Sequence, residues 1–203
     1  MNMQASAINI YSVIKPRSIL AELPVLLSFN LLLVATSYIS IDLPFSPVPI
    51  TGQTFGVLLI GMLLGKVRGT AVVMAYLLEG IAGLPVFAGG QAGIVALVGP
   101  TGGYLIGFLV AAYCVGALAD KQFDRSYLKS VLAMTLGTGI IFFFGLLGLS
   151  RFGLASNLTV LLDLGFIPFI PGAILKIGLA SVILPSIWKK IGKTTYSDNE
   201  FNS

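Results

Sequence analysis

Residues 166–185 read FIPFIPGAILKIGLASVILP, an apolar run that contains one charged side chain, Lys176. Pro168 and Pro171 stand near its beginning, where a helix tolerates proline because its first N–H groups have no internal partners. About 20 mainly apolar residues are enough to cross the hydrocarbon core of a bilayer. The run therefore predicts a membrane-spanning helix over about 168–188 that carries a lysine inside it.

The composition of the whole chain indicates the same environment. Of the 203 residues, 56% are hydrophobic and 10% are charged, whereas soluble domains average about 25% charged residues. A soluble core that hides this much apolar surface requires a longer chain, so lipid is the expected solvent. Because the chain has no histidine and a single cysteine, Cys114, we predict no enzyme activity, no metal and no cofactor.

Apolar runs divide the chain into six predicted spans, which form a single transmembrane domain over 1–203, a compact all-α bundle. The spans are predicted at about 22–41, 51–65, 69–84, 101–119, 127–149 and 168–188. Residues 1–20 and 192–203 are predicted to be tails outside the bilayer. Small residues at four-residue spacing predict either close helix packing or a docking face for another membrane protein. These pairs are Gly61/Gly65, Ala71/Ala75, Gly103/Gly107 and Ala112/Gly116.

The basic residues support this span count, because ten of the twelve lysines and arginines then fall on one side of the membrane. The positive-inside rule places that side, with both termini, in the cytoplasm. Arg151 falls on the other side, and Lys176 belongs to neither. The net charge of +4 does not indicate nucleic-acid binding, because the basic residues lie between hydrophobic runs rather than in one stripe. The ten are Lys15, Arg17, Lys66, Arg68, Lys121, Arg125, Lys129, Lys189, Lys190 and Lys193.

The three connections on the other side are rich in proline and glycine and are not very polar. They read IDLPFSPVPITGQ, GLPVFAGGQAGIVALVGPTGG and SRFGLASNLTVLLDLGFIPFIPG. Apolar, irregular backbone at a membrane surface is typical of segments that fold inward and line a cavity, and tight interfacial turns are the alternative. The segment GPTGG at 99–103 directly precedes a span. It indicates either a helix beginning that binds an anion or a carbonyl oxygen, or an ordinary turn.

Lys176 is the polar group that most needs an explanation, because a central lysine costs about 2.5–3.5 kcal/mol on insertion scales. Its neighbours on the helix face are small: Gly172, Ala173 and Ala180. An ammonium in a roomy apolar pocket favours a carboxylate, from a ligand or from Glu79 in the third span. The alternatives are that Lys176 snorkels to the interface and that Glu79 either hydrogen-bonds a ligand ring or reaches the interface.

Four stretches of the sequence occur in the order and spacing of a known family. They are PVPITGQTFGVLLIGMLLG (47–65), YLLEGIAGLPVFAGGQAG (76–93), GPTGGYLIGF (99–108) and FIPFIPGAILK (166–176). Over about residues 24–188 the chain resembles the BioY family, the biotin-specific substrate-binding (S) components of energy-coupling-factor (ECF) transporters. The resemblance implies a six-helix fold in the bacterial cytoplasmic membrane, with a vitamin pocket near the outer surface. It also implies a transmembrane coupling protein and two ABC ATPases as partners.

The resemblance also implies a set of pocket residues. The family pocket uses the loop after GLPVF, the GPTGGY turn and the lysine of a Pro-Gly-Asp-x-x-Lys motif. The sequence departs from that motif at Ala173, where the family has aspartate, and Glu79 is the candidate to replace its charge. The matching positions here are Gly89, Gly90, Gln91, Gly99, Thr101, Gly102, Gly103, Tyr104 and Lys176.

The leading hypothesis is therefore a biotin-binding S component. In it Lys176 binds the carboxylate, Phe87 and Tyr104 contact the rings and chain, and other groups bind the ureido ring. The candidates for the ureido ring are Gln53, Gln91 and Glu79.

Two alternatives stay open at this point. One is an S component for another small vitamin. The other is a stand-alone secondary transporter that uses a Glu79–Lys176 pair for proton coupling, as intramembrane ion pairs do in such relays.

Overall fold

The protein is an all-α bundle in this computed structural model, which describes residues 19–153 and 157–200, with side chains placed over 20–153 and 157–190. Most of the predicted tail at 1–20, and residues 201–203, lie outside the described residues. Five stretches of the described chain are long and apolar enough to cross a membrane. The helices are α1 Ile19–Tyr38, α2 Gln53–Ile81, α3 Ile94–Val98, α4 Gly102–Ala119, α5 Tyr127–Leu149, α6 Leu158–Gly165 and α7 Ile170–Glu200.

Helix α2 contains two of the predicted spans. Gly65 has φ 77° and ψ −179°, which is not helical and which glycine adopts without steric cost. The chain turns back there, so that Gln53 donates a hydrogen bond to the Tyr76 hydroxyl. In a straight helix these residues would lie about 35 Å apart. We call 53–64 the first arm and 66–81 the second arm, and with them the described chain makes six passes, as the hydropathy predicts.

Helix α4 packs against both the α2 hairpin and α5 through glycines. A Cβ atom on Gly116 would lie 2.6 Å from the Cα atom of Lys66, and one on Gly61 would lie 2.9 Å from the Ala112 carbonyl oxygen. A Cβ atom on Gly148 would lie 2.7 Å from the Cα atom of Gly103. The small residues therefore pack helices of this bundle closely together.

The connections at one end of the bundle, which we call the cavity end, contain more secondary structure than the sequence predicts. Strand β1, Ser40–Leu43, pairs antiparallel with β2, Ser46–Thr51. The hydroxyl of Ser46 donates to the Leu164 carbonyl oxygen at 2.6 Å and ties this β-hairpin to α6. The sequence predicts irregular loops for the β-hairpin, α3 and α6, because prolines in β2 and the short length of both helices hide their patterns.

The opposite end, which we call the basic end, holds the connections rich in lysine and arginine. The Trp188 indole Nε1 donates to Asp124 Oδ2, which joins α7 to the α4–α5 connection. The backbone N–H of Lys66 donates to Asp120 Oδ2 at 3.3 Å. Helix α7 continues past this end to Glu200, so the backbone of 192–200, predicted as a polar tail, is helical.

The burial of Asp124 at the basic end predicts that the stability of the protein depends on pH. The residue is fully buried, and its Oδ1 atom has no hydrogen-bond partner within the part of the chain that the structure describes. Burial raises the pKa of the Asp124 carboxyl from 3.8 to about 6; its bond with Trp188 and the charge of Arg125 oppose this rise, and the charge of Asp120 adds to it. The folded protein therefore binds the Asp124 proton more tightly than the unfolded chain does.

We expect the free energy of unfolding to fall between about pH 4 and pH 6, by up to about 3 kcal/mol, and to level off above that. In that range the Asp124 carboxyl is ionised in the unfolded chain but still protonated in the folded protein, and this difference favours unfolding. Asp124→Asn keeps an acceptor for Trp188 and should remove this part of the pH dependence. Thermal unfolding of both proteins in detergent from pH 4 to pH 8 measures it, and parallel curves would contradict the assignment.

Candidate functional site

A cavity of about 870 Å³, measured out to its mouth, opens at the cavity end. It lies between β2, the first arm of α2, α4, α5 and the beginning of α7. Most of its wall is aromatic or aliphatic, which suits the apolar part of a small organic ligand. The wall residues include Val48, Phe55, Leu58, Phe87, Phe108, Met134, Ile141, Phe142, Phe169 and Ile177.

Lys176 supplies the one charged side chain among the described residues that line this cavity. Six residues separate it from the beginning of α7 at Ile170, so it lies about 9 Å along the helix axis. Its Nζ atom donates to the Thr51 carbonyl oxygen at 2.5 Å and to Thr54 Oγ1 at 2.8 Å. The ammonium is therefore held inside the bundle by two neutral acceptors, and it does not snorkel to the interface.

Glu79, the other charged candidate, does not line the cavity and makes no ion pair with Lys176. The lining residues of α2 all belong to the first arm, whereas Glu79 belongs to the second arm. Gln53 stands between the two arms. Its Oε1 atom accepts from Thr51 Oγ1 at 3.1 Å and its Nε2 atom donates to the Tyr76 hydroxyl.

Seven of the thirteen predicted site residues line the cavity, and the five predicted glycines lie just outside it. Gly89 and Gly90 have φ values of 63° and 76°, so they shape the loop that carries Gln91. Gly103 packs against α5, where a Cβ atom would lie 2.9 Å from the Cα atom of Gly148. The lining seven are Gln53, Phe87, Gln91, Thr101, Tyr104, Ala173 and Lys176; the glycines outside are Gly89, Gly90, Gly99, Gly102 and Gly103.

Sequence reasoning missed several lining residues. Thr54 stands one residue after the predicted Gln53, and Thr138 is a polar residue in the centre of the apolar α5. A polar residue in a predicted span is a signal for a site, but Thr138 shares its span with Ser130 and Thr135, so the sequence does not single it out. The aromatic residues Phe108, Phe142 and Phe169 could not be separated from ordinary core or lipid-facing positions by their spacing.

Gly80 supports the cavity from behind, which leads to a prediction. The ring of Phe87, which lines the cavity and is 2% exposed, lies directly against the position where a side chain on Gly80 would begin. Gly80→Ala should displace this ring into the cavity, because overpacking forces side chains from their preferred positions, and the smaller cavity should weaken ligand binding about tenfold. Gly139→Ala, whose new Cβ atom meets open space, is the matched control. Unchanged ligand titration of Gly80→Ala would show that the ring is not positioned this way.

Comparison with known proteins agrees with this fold. The model of the BioY family matches residues 7–193, most of the chain. The chain belongs to the BioY family. Among its relatives, the biotin transporter BioY of Thermotoga maritima is 41% identical over 156 residues, which cover 76% of this chain and 88% of that protein.

Two other proteins extend the comparison with the BioY family. The biotin transporter BioY of Rhodobacter capsulatus is 37% identical over 172 residues, covering 78% of this chain and 88% of the relative. A solved structure of the S-component for biotin from an ECF-type ABC transporter superposes with a TM-score of 0.74. That structure is 30% identical in sequence, and the match covers 82% of this chain and 90% of the other. Fold class and family are thereby confirmed.

Proposed function

We propose that this chain binds biotin and is the substrate-binding component of an ECF-type ABC importer. The observation that carries the proposal is the single ammonium, Lys176, in the wall of an apolar, aromatic-rich cavity. Biotin has an apolar chain that ends in a carboxylate and a fused ring system that bears a ureido group. Relatives named as biotin transporters are similar in sequence, and a solved biotin S-component shares this fold.

The carboxylate of biotin pairs with Lys176 in this proposal. The ammonium has two neutral acceptors, Thr51 and Thr54, and a carboxylate adds the negative charge that neither supplies. Phe87 and Tyr104 contact the apolar chain and rings. Tyr104 is held for this by its hydroxyl, which donates to the Gly165 carbonyl oxygen at 2.6 Å.

We further propose that the whole chain is one membrane domain with its cavity facing outward and its basic end in the cytoplasm. The lysines and arginines of the basic end support this orientation through the positive-inside rule. The chain has no phosphate-binding G-x-x-x-x-G-K-[ST] motif, so ATP hydrolysis requires other subunits. A transmembrane coupling protein and two ABC ATPases, in a bacterial cytoplasmic membrane, fulfil that requirement.

Titration of the purified protein tests this function. The protein is isolated in detergent, stripped of any bound ligand, and titrated with biotin by calorimetry. We expect one saturable site per chain. Pantothenate and thiamine, titrated in the same way, represent other vitamins, and tighter binding of either would overturn the biotin assignment. Uptake into proteoliposomes driven by a pH gradient alone would instead indicate a stand-alone transporter.

A further inference from the structure

The polar groups of the cavity wall differ in whether they already have a partner. Most of them are engaged within the protein. Thr101 Oγ1 donates to the Ala96 carbonyl oxygen at 3.2 Å, and the Tyr104 hydroxyl bonds Gly165. The hydroxyls of Thr51 and Thr54 and both polar atoms of Gln53 are engaged in the contacts described above. These groups can hydrogen-bond a ligand only by sharing or giving up their hydrogen bonds within the protein.

Thr138 is different, because its hydroxyl has no hydrogen-bond partner among the residues that the structure describes. A threonine inside a helix usually bonds the carbonyl oxygen one turn earlier. Its neighbours on the same helix face, Met134 and Ile141, line the cavity and are buried at 0% and 1% exposure. Thr138 itself is half-buried and lines the cavity, so its hydroxyl is available to a polar group that enters there.

The position of Thr138 places this unpaired group deep in the cavity. Eleven residues separate it from the cavity end of α5 at Leu149, which corresponds to about 16 Å along the axis. Lys176 lies only about 9 Å from the beginning of α7. Gln91, the other lining side chain without a described partner, is exposed at the mouth. A ligand whose charged end meets Lys176 therefore reaches Thr138 with a second polar group.

We infer that Thr138 is a specificity-determining residue that hydrogen-bonds the ureido ring of the ligand. The inference rests on the proposed function, because it takes biotin as the ligand. A hydroxyl can donate to the ureido carbonyl oxygen or accept from a ureido N–H, whereas the neighbouring side chains of Met134 and Ile141 can do neither. Thr138 thereby favours ligands with a polar ring over fatty acids of similar length, which also carry a carboxylate.

Two substitutions at this position separate the hydroxyl from the methyl group. Thr138→Val keeps the shape and removes the hydroxyl, and Thr138→Ser keeps the hydroxyl. We expect Thr138→Val to weaken biotin binding about tenfold, and Thr138→Ser to stay within about threefold of the unmodified chain. The loss should be equal for biotin and for biotin amide, since the amide changes only the end that meets Lys176. Thermal unfolding of each variant checks that it is folded.

The outcomes distinguish this inference from the proposed function. If the unmodified chain binds biotin and Thr138→Val binds it equally well, the Thr138 assignment is wrong and the function stands. If Thr138→Ser loses as much as Thr138→Val, packing of the methyl group matters and the hydroxyl does not, which also overturns the assignment. If the unmodified chain does not bind biotin, both fail together.

Discussion

Replacing Lys176 with methionine is expected to weaken biotin binding by about 100-fold or more. Methionine keeps most of the apolar stem but removes the ammonium, so the ligand carboxylate is buried without a counter-charge. Losing one partner of a buried, hydrogen-bonded charge pair costs about 2–5 kcal/mol, and each 1.4 kcal/mol is a factor of ten in affinity. Calorimetric titration of Lys176→Met beside the unmodified chain measures the effect.

The matched ligand for this experiment is biotin amide, which has the same shape and no charge. Its binding should be reduced much less by Lys176→Met, because no carboxylate is left unpaired. The variant should also unfold at the same or a higher temperature, since a lysine inside a membrane protein is itself unfavourable. If both ligands lose affinity equally, the ammonium does not act through charge, and the proposed orientation of biotin is wrong.

The largest predicted effect on stability is at Gly116, where α4 meets the turn of the α2 hairpin. A Cβ atom there would lie 2.6 Å from the Gly65 carbonyl carbon and from two backbone atoms of Lys66. Backbone cannot rotate away as a flexible side chain can, so the helix and the turn must separate. We expect Gly116→Ala to lower the free energy of unfolding by about 3 kcal/mol, at the upper end of overpacking costs.

Gly139→Ala is the control for this prediction, because the added methyl group meets nothing within 4 Å. Alanine favours a helix by up to about 1 kcal/mol over glycine, so this variant should be neutral or slightly more stable. Thermal unfolding of both variants in the same detergent gives the comparison. If the two variants unfold at the same temperature, the close approach of α4 to the α2 hairpin does not determine the stability of the bundle.

The structure shows which groups contact the Lys176 ammonium when alanine stands at position 173, where the family motif has aspartate. Ala173 lines the cavity and contributes no charge, and Glu79 does not line it. Instead, the Thr51 carbonyl oxygen and the Thr54 hydroxyl hold the ammonium. The cavity wall therefore keeps a net positive charge over its described residues, which favours an anionic ligand.

The sequence by itself determined the features that depend on position along the chain. Runs of apolar residues fixed how many times the chain crosses the membrane, and the basic residues grouped the connections on one side. Lys176 was identifiable as a candidate site residue because a lysine in an apolar span is costly wherever the helix lies. The glycine-rich connections lie at the cavity end, although Gly89 and Gly103 shape neighbouring residues and do not line the cavity.

Only the tertiary structure decided which side chains meet. Glu79 and Lys176 belong to the same end of the bundle by sequence, yet Lys176 lines the cavity and Glu79 does not. The acceptors of the ammonium, Thr51 and Thr54, come from a segment more than 120 residues away in the chain. Sequence periodicity gives the depth of a residue in a helix, but not how that helix is rotated against its neighbours. That rotation is set by packing, here by glycines such as Gly65 and Gly116 that let the backbones approach.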